Sequence, residues 1–153
     1  MREVIETYIL VIATVVAVSS VSLAMLPTVN DLAHSYVSLS NNLNDKVKTD
    51  FEIIFSSAND TQVTIWAKNT GDVSLSLDVI NMSDVFITSS TDNYHYSFNS
   101  PEVQTSIVNG DGDSYWDKGE TLMVSINTTL PQNEYSVVMI LYNGVKASDV
   151  FSR

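Results

Sequence analysis

The sequence predicts a mainly β protein, an N-terminal transmembrane helix followed by an antiparallel Ig-like β-sandwich. Three observations carry that prediction. Thr7–Asn30 holds no charged residue over 24 positions. From Asp50 onward, short runs alternate apolar and polar residues with a period of two. Clusters of Asn, Asp, Gly and Pro separate those runs, as the turns of a sandwich require.

The uncharged run is rich in Val, Ile, Ala and Leu. As a helix it would span about 36 Å, enough to cross a hydrocarbon core of roughly 30 Å with some tilt. Thr14, Ser19, Ser20 and Ser22 interrupt it, and such small hydroxyl residues bond back to the helix or let a second helix approach closely. A cleaved secretory signal needs a basic n-region, a shorter apolar core and a small-residue cleavage site. The N-terminal tail here is Met-Arg-Glu-Val-Ile-Glu, with two acids, so the run is read as a retained anchor over residues 1–30. Arg2 and the terminal amine flank it on one side, and no Lys or Arg follows until Lys46. The positive-inside rule then puts the tail in the cytoplasm and the remaining chain outside the cell.

Beyond Pro27, Val29, Leu32, Tyr36, Leu39, Leu43 and Val47 recur in steps of three and four, one face of an amphipathic helix. Pro27 either kinks the first helix or starts a second, since it donates no backbone hydrogen bond. The extension, residues 31–50, needs cover for that stripe. Its own C-terminal domain could supply it, and so could a short seam with a sister chain through Val29, Leu32, Tyr36, Leu39 and Leu43.

The β domain is placed at residues 51–153. Its strands are expected at Phe51–Phe55, Gln62–Lys68, Val73–Val79, Asp84–Thr88, Tyr94–Phe98, Glu102–Val108, Thr121–Asn127, Tyr135–Tyr142 and Val145–Phe151. Alternation assigns Val63, Ile65, Val73, Leu75, Leu77, Leu122, Val124, Ile126, Val138 and Ile140 to the core. Asn143-Gly144, between two apolar runs, is the strongest hairpin signal and predicts a type I′ turn.

Composition narrows the function. Seven Lys and Arg stand against 18 Asp and Glu, for a net charge of −11, which argues against a nucleic-acid binder. Cysteine is absent, so there is no disulfide framework and no thiolate metal site. Neither His34 nor His95 has a second ligand at metal spacing, and no nucleophile, P-loop or dinucleotide motif occurs. The chain is read as non-enzymatic. Sequons at Asn59, Asn81 and Asn127 suit an outer domain, but a chain this rich in Asn, Ser and Thr produces several by chance.

One acidic segment carries a chemical pattern. Against the twelve-position EF-hand loop, Asn109, Asp111 and Asp113 fall at positions 1, 3 and 5. Tyr115 offers its carbonyl at 7, Asp117 stands at 9 and Glu120 at 12. Calcium is the expected ion. Ser114 occupies position 6, where the pattern wants glycine.

The apolar helix, the extension Ser38–Asp50, Phe51-Glu-Ile-Ile, and the turns Ala67-Lys-Asn-Thr-Gly71 and Tyr115-Trp-Asp-Lys-Gly-Glu120 together resemble the membrane-anchored archaellum proteins FlaG and FlaF, FlaG more closely. The resemblance implies a single-pass archaeal membrane protein with its sandwich in the pseudoperiplasm. It implies self-association, contacts with a FlaF-like sister protein or the S-layer, and a stator-like role without catalysis. Two alternatives are carried. One is an archaellin or type IV pilin-like filament subunit, for which Glu6 stands where a pilin glutamate would, although no Lys/Arg-Gly leader is seen. The other is a calcium-stabilised, membrane-tethered surface binding module.

Overall fold

The structure is a computed structural model and describes residues 1–153. It divides into two compact units, Met1–Asn42 and Leu43–Arg153. The first unit is helical throughout and belongs to a helix, α1 (Arg2–Lys48), that runs on through Pro27. No residue of α1 is buried, and the helix is long and apolar enough to cross a membrane.

In the second unit, eight strands form two antiparallel four-stranded sheets. The first contains β1 (Phe51–Ala58), β2 (Gln62–Asn69), β8 (Thr121–Asn127) and β6 (Val103–Ile107), in the order β1-β2-β8-β6. The second contains β10 (Lys146–Ser152), β9 (Glu134–Ile140), β4 (Asp84–Thr88) and β5 (Asn93–Ser97), in the order β10-β9-β4-β5. A short pair, β3 (Leu75–Ser76) with β7 (Tyr115–Trp116), makes a third sheet. The inner rows are Val63, Ile65 and Ala67 from β2, and Leu122, Val124 and Ile126 from β8. From the second sheet they meet Val85 and Ile87 of β4, and Tyr135, Val137 and Met139 of β9. This is a mainly β sandwich preceded by a long apolar helix, as the sequence predicts.

Four local expectations are corrected. Val138 and Ile140 lie on the outer side of β9 and are half-buried, while Tyr135, Val137, Met139 and Leu141 enter the core. The run Tyr-Ser-Val-Val-Met-Ile-Leu is apolar on both faces, so alternation there cannot fix which face is inward. The strand expected at Val73–Val79 shrinks to β3, because Ser76 caps a one-turn helix, α2 (Leu77–Ile80), by accepting from the Val79 N–H at 3.4 Å. That turn drives Ile80 fully into the core and leaves Val73 and Leu77 partly buried beside it.

The hairpin at Asn143-Gly144 exists, but only Gly144 has positive φ, at 80°. The Gly144 N–H donates to Leu141 and the Leu141 N–H to Val145. This pattern is a type I turn closed by a glycine bulge, not type I′. Finally, the expected strand Phe51–Phe55 is broken by a bulge between Ile53 and Phe55, which turns Phe55 outward.

Candidate cation loop and the exposed helix

Residues 109–120 form a loop fastened to the sandwich at two points. Trp116 is fully buried, packs edge-on against Phe51 at 6.0 Å and donates from Nε1 to the Glu120 carbonyl at 2.9 Å. Asn69, also buried, donates from Nδ2 to the carbonyls of Val73 (2.9 Å) and Trp116 (2.8 Å). Its Oδ1 accepts from the Gly71 N–H at 3.0 Å. One carboxamide therefore joins the two turns, Ala67–Gly71 and Tyr115–Glu120, whose sequences resembled those of FlaG. Backbone bonds from Asn69 N–H to the Glu120 carbonyl and from Gly119 N–H to the Asn69 carbonyl complete the junction. Gly71 cannot be replaced here, since an added Cβ would sit 2.5 Å from both the Asp50 nitrogen and the Lys48 carbonyl oxygen.

Within the loop, Asp111, Asp113 and Asp117 each bring one carboxylate oxygen to within 4.8 Å of the other two. Asn109 and Glu120 do something different. The Asn109 side-chain oxygen accepts from the Thr121 N–H at 2.6 Å. The two Glu120 carboxylate oxygens accept from the N–H groups of Asp111 (3.2 Å) and Asp117 (2.9 Å). These two residues brace the loop backbone while positions 3, 5 and 9 of the EF-like pattern converge. Tyr115 sits in β7, paired with Ser76. The sharp turn that an EF-hand makes at position 6 is made earlier here, by Gly112 at φ 97°. Three hard oxygen donors around one point suit a divalent cation of the calcium type in their chemistry. Lys118 pairs with Asp72, and its hydrogen bond and charge set the Asp72 carboxyl below its ordinary range.

Along α1, the hydroxyls of Thr14, Ser19, Ser20 and Ser22 donate to carbonyls three or four residues earlier, at 2.7–2.9 Å. Those four hydroxyls are thereby satisfied within the helix itself. The stripe Val29, Leu32, Tyr36, Leu39 and Leu43 is 53–74% exposed. His34 is exposed too, whereas His95 bonds through Nε2 to Asp84 at 2.9 Å and stacks on Phe86. That pairing across two strands has no trace in the linear spacing. The Asn69 junction was equally hidden, because Asn-Thr-Gly after a strand signals a turn but not what its side chain will hold.

A long apolar helix followed by an antiparallel sandwich is the architecture of this chain. A family model described as archaeal-type flagellin matches residues 2–151, and the chain belongs to that family of structural proteins. An uncharacterized protein of Archaeoglobus fulgidus is 51% identical over 159 residues, covering 99% of this chain and 98% of its own. Among solved structures, the archaellum periplasmic stator protein FlaG from Sulfolobus acidocaldarius superposes with a TM-score of 0.55 at 16% identity. The match covers 67% of this chain and 99% of that one. The stator complex of FlaF and FlaG from the same organism gives 0.51, also at 16% identity, covering 66% and 87%. At that identity the likeness establishes the shared sandwich fold.

Proposed function

We propose that the protein is a non-enzymatic structural part of the archaellum, of the FlaG or FlaF stator type. Its apolar helix anchors it in the cell membrane with the sandwich outside, and it holds motor or filament in the envelope. It does so by self-association through the helix stripe and by contacts of the sandwich with a FlaF-like sister protein or the S-layer. The observation that carries this reading is α1 itself. One continuous helix joins a charge-free span to a stripe of five exposed apolar side chains. Apolar surface left in water costs about 25 cal/mol per Å², so a stripe outside the bilayer calls for a partner. The Sulfolobus stator proteins share the sandwich fold, which supports the assignment of type.

The test is protease added to intact cells whose surface layer has been stripped, followed by swimming assays of a deletion strain. The sandwich should be digested without permeabilisation, and deletion should abolish swimming. Digestion only after permeabilisation, or normal swimming of the deletion strain, would contradict the proposal. A filament-subunit reading is favoured by one observation, that the archaeal-type flagellin model runs through the helix as well as the sandwich. It predicts a trimmed N-terminus in the intact mass of protein extracted from cells, whereas the stator reading predicts residue 1 onward in the membrane fraction.

Within the same proposal the acidic loop holds calcium weakly, through Asp111, Asp113 and Asp117, with Asn109 and Glu120 bracing it. Extracellular calcium modules work near 10⁻⁴–10⁻³ M. Calcium at tenfold over its Kd would stabilise the sandwich by about 1.4 kcal/mol, or roughly 6 °C in melting temperature. Asp111→Ala with Asp113→Ala should remove that rise. Identical melting of the native sequence with calcium and with chelator would contradict calcium binding.

A further inference from the structure

The sequons at Asn59, Asn81 and Asn127 are alike in sequence, and the fold separates them. An acceptor for N-glycosylation offers an exposed asparagine nitrogen in a surface segment, with the hydroxyl two residues on within reach of the transferring enzyme. Asn59-Asp60-Thr61 is the tip of the β1-β2 hairpin, and all three residues are exposed. The Asn59 side chain holds this turn through its oxygen. Oδ1 accepts from the N–H groups of Thr61 at 2.9 Å and Gln62 at 2.8 Å, and none of these bonds uses Nδ2. A sugar on that nitrogen therefore leaves the turn intact.

Asn127 ends β8 and is exposed, as is Thr129 two residues on. Its backbone N–H is fixed by the Glu102 carbonyl at 2.8 Å. The two sites share one end of the sandwich, because Gln62 opposes Asn127 in register and the Thr128 N–H donates to the Thr61 carbonyl at 2.9 Å. That end is the one away from α1. β1 begins at Phe51, two residues past the helix, and reaches the hairpin after 8 residues, roughly 25 Å further on.

Asn81-Met82-Ser83 is folded back on α2. The N–H groups of the three residues donate to the carbonyls of Leu77, Val79 and Ile80 at 3.0–3.1 Å. Ser83 is 1% exposed, and its Oγ is buried without a hydrogen-bond partner. The Phe98 N–H closes over its carbonyl at 3.0 Å. The hydroxyl that the enzyme has to reach is sealed inside the folded domain.

We propose that Asn59 and Asn127 carry N-linked oligosaccharides, attached to the folded sandwich, and that Asn81 carries none. In the transfer, Nδ2 attacks the anomeric carbon of an oligosaccharide held on a lipid phosphate. The new C–N bond forms as the C–O bond to phosphate breaks, and the lipid phosphate leaves with the bonding electrons. The amide gives one proton to a base of the transferring enzyme, and nothing is oxidised or reduced. Two bulky, hydrated chains then cover the outer tip and withdraw it from protein contact. The inference rests on the outward placement of the sandwich proposed above, since such acceptors are surface loops of exported domains.

The experiment is peptide mass spectrometry of the full chain purified from its native cells, with external protease applied to a portion of the same cells. Peptides containing Asn59 and Asn127 should each be heavier by one oligosaccharide, and the peptide containing Asn81 should have its unmodified mass. Thr61→Ala and Thr129→Ala should each remove one glycan from the intact mass with the asparagine still in place, and Thr61→Ser should retain it. An unmodified Asn59 or Asn127, in protein whose sandwich is digested from outside intact cells, would overturn this proposal and leave the outward placement standing. A glycan on Asn81 would also overturn it. A sandwich protected in intact cells stripped of their surface layer would overturn the placement, and this proposal with it.

Discussion

Trp116→Ala should destabilise the sandwich by about 3–5 kcal/mol, the largest effect expected from any single substitution in the domain. The indole is fully buried and touches the ring of Phe51 edge-on. Removing it leaves a cavity where the short sheet β3-β7 meets the larger one. It also takes one of two donors from the Glu120 carbonyl, which keeps only the Asn69 N–H, so a lost hydrogen bond adds to the lost packing. Domains of this size hold about 5–15 kcal/mol in total, and the melting temperature should fall by roughly 12–25 °C. Trp116→Phe is the informative companion, since it keeps much of the packing and loses only the hydrogen bond. Urea denaturation of residues 43–153 measures both. A loss below about 1 kcal/mol for the alanine variant would mean that the indole does not anchor the acidic loop.

The consequence reaches the candidate cation loop. Trp116 sits between Asp113 and Asp117 in sequence, and its own carbonyl accepts from Asn69. The three converging carboxylates are therefore positioned by buried groups beneath them, while their own bonds are local. Asp111 accepts from the Asp113 N–H at 3.1 Å and Asp113 from the Tyr115 N–H at 2.8 Å. Loss of Trp116 should abolish any calcium-dependent rise in melting together with the stability itself. The Asp111→Ala with Asp113→Ala pair touches only the exposed part.

Some strands were legible because their two faces differ. β2 and β8 alternate Val, Ile and Leu with Thr, Lys, Ser and Asn, so their inward rows could be read directly. β9 could not be, because Val138 and Ile140 on one face are as apolar as Val137 and Met139 on the other. Only their burial in the folded chain shows that Val137 and Met139 are the inward pair. Val73–Val79 looked like a strand by period, and the local chemistry of Ser76 as a helix cap won. The bulge at Ile54 was invisible, since an inserted residue shifts parity without any residue type to announce it.

At the acidic loop, spacing located the carboxylates. It did not distinguish Asp111, Asp113 and Asp117, which point together, from Asn109 and Glu120, which hold backbone N–H groups. That division depends on where the chain turns, and Gly112 turns it two positions before the place the EF-hand pattern uses. The apolar helix was the most legible element of all, because an uncharged run of that length leaves few other folds to choose from.

Assembly through the helix stripe is the claim on which the functional reading turns, and the sequence offers a clean probe for it. The chain has no cysteine, so single cysteines can be placed along α1 and oxidised in native membranes with no background. A disulfide requires Cα atoms about 4.4–6.8 Å apart, and cross-linking therefore reports close helix approach independently of any contact between sandwiches. Cysteine at Val29, Leu32, Tyr36, Leu39 or Leu43 should give covalent dimers, and cysteine at Asn30, Ser38, Asn41 or Asn42 should give few or none. Cross-linking that peaks with steps of three and four is the predicted result. Equal cross-linking around the helix, or none at any stripe position, would contradict it.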